Sequence, residues 1–245
     1  KSFKSDFKSI TIRGSKISGG NTSLVGLLSG YGREINCRSV NIYDSTVFGQ
    51  HNIAGLIGKS INSKLTDCAV VSCEINGQNR VGGLVGVGNK DITIDCLTND
   101  TTVKGVVTVG GMYGKIEGTM MKNQDVRGKI QNCITKECEI DGSEMVGGFS
   151  GRVEEQGQEE ESIINCKSDN IVRGLTTVGG FLGSAFHLNL KNCIGSGTVN
   201  SQDPSGFISE LHNSNIQNSY GTTNLQTEEN RSFGFIEKVG EESVI

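Results

Sequence analysis

The chain has 245 residues with 35 Gly, one Pro and no Trp, and apolar residues make up 34% of it, so one compact core is not the expected source of stability. The net charge of −4 argues against nucleic acid and anionic lipid as partners, because both need a concentrated basic surface. No stretch approaches the ~20 apolar residues of a membrane span, so we expect no membrane insertion by this segment.

A Gly-rich block recurs along most of the chain and predicts a stack of coils. The chain begins before the first block, where residues 1–21 contain Ile10, Ile12 and Ile17 among polar residues and predict a partial first coil. After them a six-residue block, VGGLVG in its clearest form at residues 81–86, occurs eight times, with spacings of 28, 28, 28, 37, 32, 26 and 28 residues. A period of this length is typical of solenoid proteins. The last two copies are degenerate, and residues 238–245 form a polar tail.

Two further blocks lie between successive Gly blocks. One is an aliphatic residue, one or two polar residues and Cys, as in residues 65–68 (LTDC), and the other ends in Gly, as in residues 74–77 (EING). Short apolar segments bounded by Gly, Asn, Asp and Ser are typical of strands. The sequence therefore predicts one all-β domain over residues 1–245. We expect a parallel β-solenoid (β-helix) of about eight coils, each with three short strands, wound right-handed.

The paired glycines allow two interpretations. Gly82 and Gly83, with their equivalents, predict a column without side chains. Such a column either lets backbone segments approach closely or turns a corner at positive φ. The sequence leaves both open.

The Gly block and its spacing resemble the GLUG-motif repeats of bacterial surface proteins, including some IgA-specific metallopeptidases, and of secreted repeat proteins of other microbes. The resemblance covers nearly the whole chain, in four good copies and four weaker ones. It implies an accessory module that is extracellular or at the cell surface. It carries over no functional residues, and the chain contains no HExxH zinc motif.

The cysteines occupy a recurring position. Six of the eight follow an aliphatic residue in the same way and predict an inward stack of small side chains that Ser219 continues: Cys37, Cys68, Cys96, Cys133, Cys166 and Cys193. Cys73 and Cys138 each follow one of these by five residues, so Cys68–Cys73 and Cys133–Cys138 are candidate disulfides of a secreted chain. The usual four ligands of a zinc site are missing.

Polar residues before the cysteines predict a second column, at a corner where Asn and Asp tolerate the left-handed conformation and bond from coil to coil. A cation between Asp67 and Asp95 would have too few oxygens for calcium. The column comprises Asn36, Asp67, Asp95, Asn132, Asn165, Asn192 and Asn218.

Two insertions break the period. Nineteen residues separate Gly114 from Cys133 and 15 separate Gly151 from Cys166, whereas 10 separate the equivalent Gly86 and Cys96. Both leave the same corner and should protrude side by side. They are either solvated loops of compensating charge or a contact patch for protein or glycan. The candidate binding residues are Lys122, Arg127, Lys129, Glu154, Glu155 and Glu159.

Other polar residues give weaker signals. His187 and His212 are separated by nearly one coil length, so we expect one to lie above the other, near Glu154 and Glu155. Two histidines provide too few ligands for a metal site. Sequons mark candidate glycosylation sites of a eukaryotic secreted protein at Asn21, Asn99 and Asn230.

No catalytic constellation is found, and we expect no cofactor and no metal. The sequence favours a non-catalytic extracellular structural or adhesive module, a rigid rod whose loop-bearing edge binds protein or glycan. One alternative is a carbohydrate-active β-helix hydrolase or lyase, which needs converging carboxylates. The other is a self-assembling fibre or surface-layer subunit that associates end to end, or with flanking domains, through exposed strand edges.

Overall fold

The structure, a computed structural model, describes residues 2–20, 23–118, 128–154, 163–227, 231–240 and 243–245. The regular structure in these residues is entirely β, in 34 strands, and every strand pairing is parallel. No helix long and apolar enough to cross a membrane occurs in them. The all-β parallel β-solenoid predicted from the repeat is confirmed, with about eight coils.

The strands follow one another with short connections. In chain order they are β1 (Ser2–Phe3), β2 (Asp6–Arg13), β3 (Lys16–Ser18), β4 (Ser23–Val25), β5 (Ser29–Arg33), β6 (Asn36–Tyr43), β7 (Thr46–Phe48), β8 (His51–Ala54), β9 (Ile57–Ile61), β10 (Lys64–Thr66), β11 (Ala69–Val71), β12 (Glu74–Asn76), β13 (Asn79–Gly82), β14 (Val85–Asn89), β15 (Ile92–Ile94), β16 (Leu97–Asn99), β17 (Thr102–Lys104) and β18 (Val107–Gly110). The second half comprises β19 (Tyr113–Glu117), β20 (Lys129–Gln131), β21 (Ile134–Asp141), β22 (Glu144–Gly147), β23 (Ser150–Glu154), β24 (Ile163–Ile164), β25 (Lys167–Arg173), β26 (Thr176–Gly179), β27 (Leu182–Phe186), β28 (Asn189–Lys191), β29 (Ile194–Asn200), β30 (Pro204–Ser205), β31 (Ile208–His212), β32 (Asn215–Gln217), β33 (Tyr220–Gln226) and β34 (Ile236–Val239).

The described residues form three sheets, of 9, 18 and 7 strands, that surround the core. The coil from β8 to β12 shows the order: β8 belongs to the 7-stranded sheet, β9 to the 9-stranded sheet, and β10, β11 and β12 to the 18-stranded sheet. Each coil therefore has five strand positions, whereas the sequence predicted three. The apolar blocks look continuous in the sequence, but a left-handed residue such as Asp67 (φ 54°) divides the Cys block between two strands.

The register reproduces the spacing of the Gly blocks. Ile57 pairs with Val85, its equivalent in the next Gly block, and Tyr113 pairs with Ser150 across the longest spacing. Ser150 pairs in turn with Leu182 across the second insertion, and Leu182 pairs with Ile208 across the shortest spacing. The spacing of the repeat therefore predicted the strand pairing, including the two long coils.

Both ends of the chain take part in the stack. Residues 2–20 contribute β1, β2 and β3 to a first coil whose inward side chains, such as Ile10 and Ile12, are only half-buried. In the polar tail, Lys238 and Val239 belong to β34, and Val244 pairs with Asn215. The right-handed winding stays a prediction, which the strong preference of parallel crossovers for that hand supports.

Close backbone approach explains the Gly pairs. Gly82 and Gly83 do not have positive φ, so the corner interpretation is wrong. A Cβ on Gly83 would lie 2.5 Å from Thr98 Cγ2 and would also overlap the carbonyl of Gly111 in the next coil. The glycine column brings one wall of the solenoid against the inward side chains of the opposite wall.

This packing predicts a strong dependence on position for glycine substitutions. Gly83→Ala should lower the free energy of unfolding by about 3 kcal/mol, because the methyl group overpacks the interior. Gly234 occupies the same column in the last coil, where no heavy atom lies within 4 Å of an added Cβ, so Gly234→Ala should change stability by less than about 0.5 kcal/mol. Urea denaturation measures both, and equal losses would contradict the close-approach explanation.

Candidate functional site

The chain turns at corners spaced five residues apart. Asn62, Asp67 and Ser72 have φ values of 50°, 54° and 52°, in the left-handed region. The residue after each of them, such as Ser63 after Asn62, is buried. These inward residues stack from coil to coil in three corner columns.

The inward side chains satisfy backbone groups at these corners. Ser63 Oγ accepts the N–H of Ile35, in the preceding coil, at 3.3 Å and donates to the carbonyl of Ile61 at 3.0 Å. Ser214 does the same for Leu188 N–H and the His212 carbonyl. We call this interaction, in which an inward side chain accepts an N–H from the preceding coil, the corner cap. The other residues that make it include Ser45, Thr101, Cys166, Asn170 and Ser219.

Seven of the eight cysteines belong to two of these columns, the one that follows Asp67 and the one that follows Ser72. Leu65 pairs with Cys37, so Cys37 lies outside the column predicted for it, and Val40 holds that position in its coil. The remaining members, from Cys68 to Cys193, stack as predicted and lead to Ser219.

All eight thiols are free and buried, so Cys68–Cys73 and Cys133–Cys138 are not bridged in this structure. Five residues carry the chain from one corner to the next, and Cys68 Sγ donates to the carbonyls of Thr66 at 3.5 Å and Cys37 at 3.8 Å. Burial raises the pKa of Cys138 to about 12, so this thiol stays protonated and remains a donor.

On the outside of the corner column that follows Asp67, polar side chains bond from coil to coil, as predicted; we call this row the polar ladder. Asn132, Asn165 and Asn192 are left-handed, and each amide donates to the residue in the preceding coil, at 3.0 to 3.2 Å. Ser39 donates to Asp67 at 2.7 Å and begins the ladder. Asn36, assigned to it from the sequence, instead lies in β6 and pairs with Lys64.

The corner cap predicts which substitutions of Cys166 are tolerated. Cys166→Ser keeps both a donor and an acceptor and should be close to neutral. Cys166→Ala leaves Cys133 N–H without its bond to Sγ and opens a small gap, so it should lower the free energy of unfolding by about 2 kcal/mol. Chemical denaturation under reducing conditions distinguishes the two, and equal losses would indicate that this position requires only a small side chain.

The bases of the two insertions are neighbours. Glu117, just before the first insertion, pairs with Glu154, just before the second. After the insertions Ile130 pairs with Ile163. Of the candidate binding residues, Lys129 is exposed at the start of β20 and Glu154 is half-buried at the end of β23. The others, Lys122, Arg127, Glu155 and Glu159, lie outside the described residues.

A charged cluster covers the outer face of the 9-stranded sheet beside these bases. Lys115 Nζ lies 2.6 Å from a carboxylate oxygen of Glu154 and 3.3 Å from one of Glu117. Arg152 also contacts Glu154, and Lys59 contacts Glu117. Partial burial opposes ionisation of Glu154, but the hydrogen bond and charge of Lys115, with Arg152, hold its pKa below the usual value. Sequence analysis missed Lys59, Lys115 and Arg152, because it searched the insertions and not the strands leading into them.

A stack of flat side chains continues this cluster. The Arg152 guanidinium lies 5.0 Å from the ring centre of Phe186, and Phe186 stacks on His212 with 4.7 Å between ring centres. The predicted stacking of His187 on His212 is wrong by one residue, since His187 forms a left-handed corner. Both faces of the Phe186 ring are therefore covered by protein.

A buried acid lies under the base of the first insertion. Asp91 is 5% exposed, and its Oδ1 accepts Ser63 N–H at 2.9 Å, whereas Oδ2 has no partner among the described residues. Asp91, Tyr113, Gly128 and Ile130 line a small cavity. Burial raises the pKa of Asp91 to about 7, although the bond from Ser63 N–H and the nearby Ser60 hydroxyl oppose the shift. A protonated Oδ2 would supply the donor that Ser, Thr and Cys provide at other corners.

This pKa shift predicts a stability that falls as pH rises. The folded chain holds a proton on Asp91 between pH 3.8 and about 7, whereas the unfolded chain has released it. The contribution is therefore complete below about pH 4 and decreases by up to about 4 kcal/mol by pH 7. Asp91→Asn should remove this dependence and be more stable than the wild type at pH 8. Urea denaturation at pH 5 and pH 8 tests this, with the exposed Asp95→Asn as control.

The other candidate sites have few ligands or little exposure. Within the described residues, no group of three His, Cys, Asp or Glu side chains is placed to hold a metal ion. Asn99 lies half-buried in β16, and the sequon hydroxyl of Thr101 is buried and donates to the Asn99 carbonyl. Asn21 and Asn230 lie outside the described residues.

Comparison with known protein families and with curated proteins finds no match for this chain.

Proposed function

We propose that the chain is a non-catalytic extracellular module, a stiff rod that binds a protein or glycan through the edge where the two insertions leave. The adjacency of their bases, Glu117 beside Glu154 and Ile130 beside Ile163, carries this proposal. Two neighbouring coils depart from the period at one corner, and in solenoids such insertions mark the binding face.

The strand residues beside the insertions support a contact surface. Lys115 lies between the carboxylates of Glu117 and Glu154, with Lys59 beside Glu117 and Arg152 beside Glu154. These ion pairs fix side chains that would otherwise move freely, which reduces the entropy lost when a partner binds. The parallel sheets beneath hold this surface at a constant position relative to both ends of the rod.

An extracellular location is consistent with the thiols and with the GLUG resemblance. Eight free cysteines would be a liability in an oxidising environment if they were exposed. All eight are buried, and buried structural thiols are inert.

A binding screen followed by matched variants tests the proposed edge. The whole chain is screened on a glycan array and against immobilised extracellular proteins, and the strongest binder is measured by biolayer interferometry. Replacing Lys129 and Glu154 together by Ala should weaken this binding at least tenfold. The control replaces Lys104 and Glu139, an equal charge pair on the 18-stranded sheet, and should leave binding unchanged. Equal losses in both variants would place binding elsewhere.

One observation favours the alternative of a carbohydrate-active enzyme. Glu117 and Glu154 are paired in adjacent coils on one outer face, so their carboxylates lie close together. A glycosidase needs one carboxyl group that stays protonated as general acid, whereas Lys115 contacts both groups and the pKa of Glu154 is lowered. Release of reducing ends from polysaccharides, lost in Glu154→Gln, would establish this alternative.

The ends of the stack favour the alternative of self-assembly. Among the described residues β2 pairs only with β6, and β33 pairs only with β29. Phe3 and Val239, at opposite ends, are each more than half exposed. Light scattering over a concentration series would reveal growing assemblies if these edges join.

A further inference from the structure

The first insertion returns to the solenoid directly above Asp91. Gly128 is the first described residue after the insertion, and Lys129 N–H bonds to the carbonyl of Asp91 at 2.9 Å. The carboxyl group of Asp91 caps Ser63 N–H below. Asp91 therefore links the regular coil beneath it to the strand that receives the insertion.

A cap is missing at this point of the column. Gly128 occupies the position that Ser63 and Ser214 hold in other coils, but it has no side chain to place over Asp91. An added Cβ would lie 3.2 Å from Lys90 Cα and 3.5 Å from Asp91 N. Gly128 lines the small cavity beside Asp91, and Asp91 Oδ2 is buried without a partner among the described residues.

The groups around Asp91 offer little compensation for a negative charge. Tyr113 is fully buried, with its hydroxyl 2.5 Å from Thr93 Oγ1, and burial keeps its pKa well above the usual value. The Cys37 thiol, whose pKa is raised to about 12 mainly by burial, is also neutral. From the preceding coil come the Ser63 N–H and the Ser60 hydroxyl. Lys90 is the cation among the described residues that line the cavity.

We propose that Asp91 is a protonation switch that controls how firmly the base of the first insertion is held. The neutral carboxyl keeps the cavity dry and the bond from Lys129 to the Asp91 carbonyl intact. The ionised carboxylate needs solvation, which the protein groups around it do not supply, and so draws water through the gap at Gly128. The segment from Gly128 to Gln131 then opens more often. This inference goes beyond the proposed binding role, because it requires no ligand.

Amide hydrogen exchange of the intact chain tests the switch. Protection factors, which correct for the intrinsic effect of pH, are measured by NMR between pH 5.5 and 8.5. Protection of the Lys129 amide should fall at least tenfold across this range, with a midpoint near the pKa of about 7. Lys64 is the internal control, since its N–H bonds to the carbonyl of Ile35, a residue without a carboxyl group, at the same corner, and its protection should not change.

Two variants distinguish the contribution of the Asp91 carboxyl group from that of the missing side chain at Gly128. Asp91→Asn should keep Lys129 protected at both pH values, and Gly128→Ser, which restores a side chain above Asp91, should reduce the loss at high pH. Constant protection of Lys129 in the wild type would overturn the proposal, as would parallel losses at Lys129 and Lys64. The comparison of these two amides within one wild-type sample remains decisive if a variant fails to fold.

Discussion

The structure depends on the corner cap. A left-handed residue bends the extended chain and turns the next N–H away from the regular strand ladder. Left-handed φ is unfavourable for residues other than Gly, by about 1–2 kcal/mol. The corner is stable because the inward side chain of the following coil accepts that N–H, as Ser63 does for Ile35. Each coil thus stabilises the corners of its predecessor, which makes in-register stacking a requirement of the fold.

The same constraint explains the low apolar content of the chain. The interior contains Thr135, Ser168 and Asn170, all fully or nearly fully buried. The amide of Asn170 donates to the Gly148 carbonyl at 3.0 Å, and Ser168 donates to the Gly180 carbonyl at 2.9 Å. Glycine columns bring these carbonyls within reach of the opposite wall. Polar side chains therefore belong to this interior, and an apolar share of 34% is sufficient.

The repeat period predicted the coils, their register and the adjacency of the insertions, because stacking forces equivalent residues into line. The number of strands was not visible, because many corners are formed by residues such as Ser39 and Ser72, whose type does not indicate a left-handed backbone. The error at Cys37 was avoidable, because one regular period counted from Cys37 leads to Leu65, its partner in the structure. The error at His187 was avoidable in the same way, because the local spacing of 26 residues, counted back from His212, leads to Phe186. The cap itself could not be predicted, because it joins a side chain to a backbone group one coil away.

Two departures from the cap rule lie together at the base of the first insertion. Ser63 and Ser214 both accept and donate a hydrogen bond at this corner, whereas Asp91 can donate one only when its carboxyl group is protonated. Gly128, in the next coil, has no side chain and supplies no cap. Either change weakens a corner that Ser63 and Ser214 cap in other coils. Sequences usually depart from the rules of their fold where function opposes stability. The two departures lie against each other, at the base of the first insertion and one coil from the second. Their position indicates that this corner is specialised, independently of the charged residues on the surface above it.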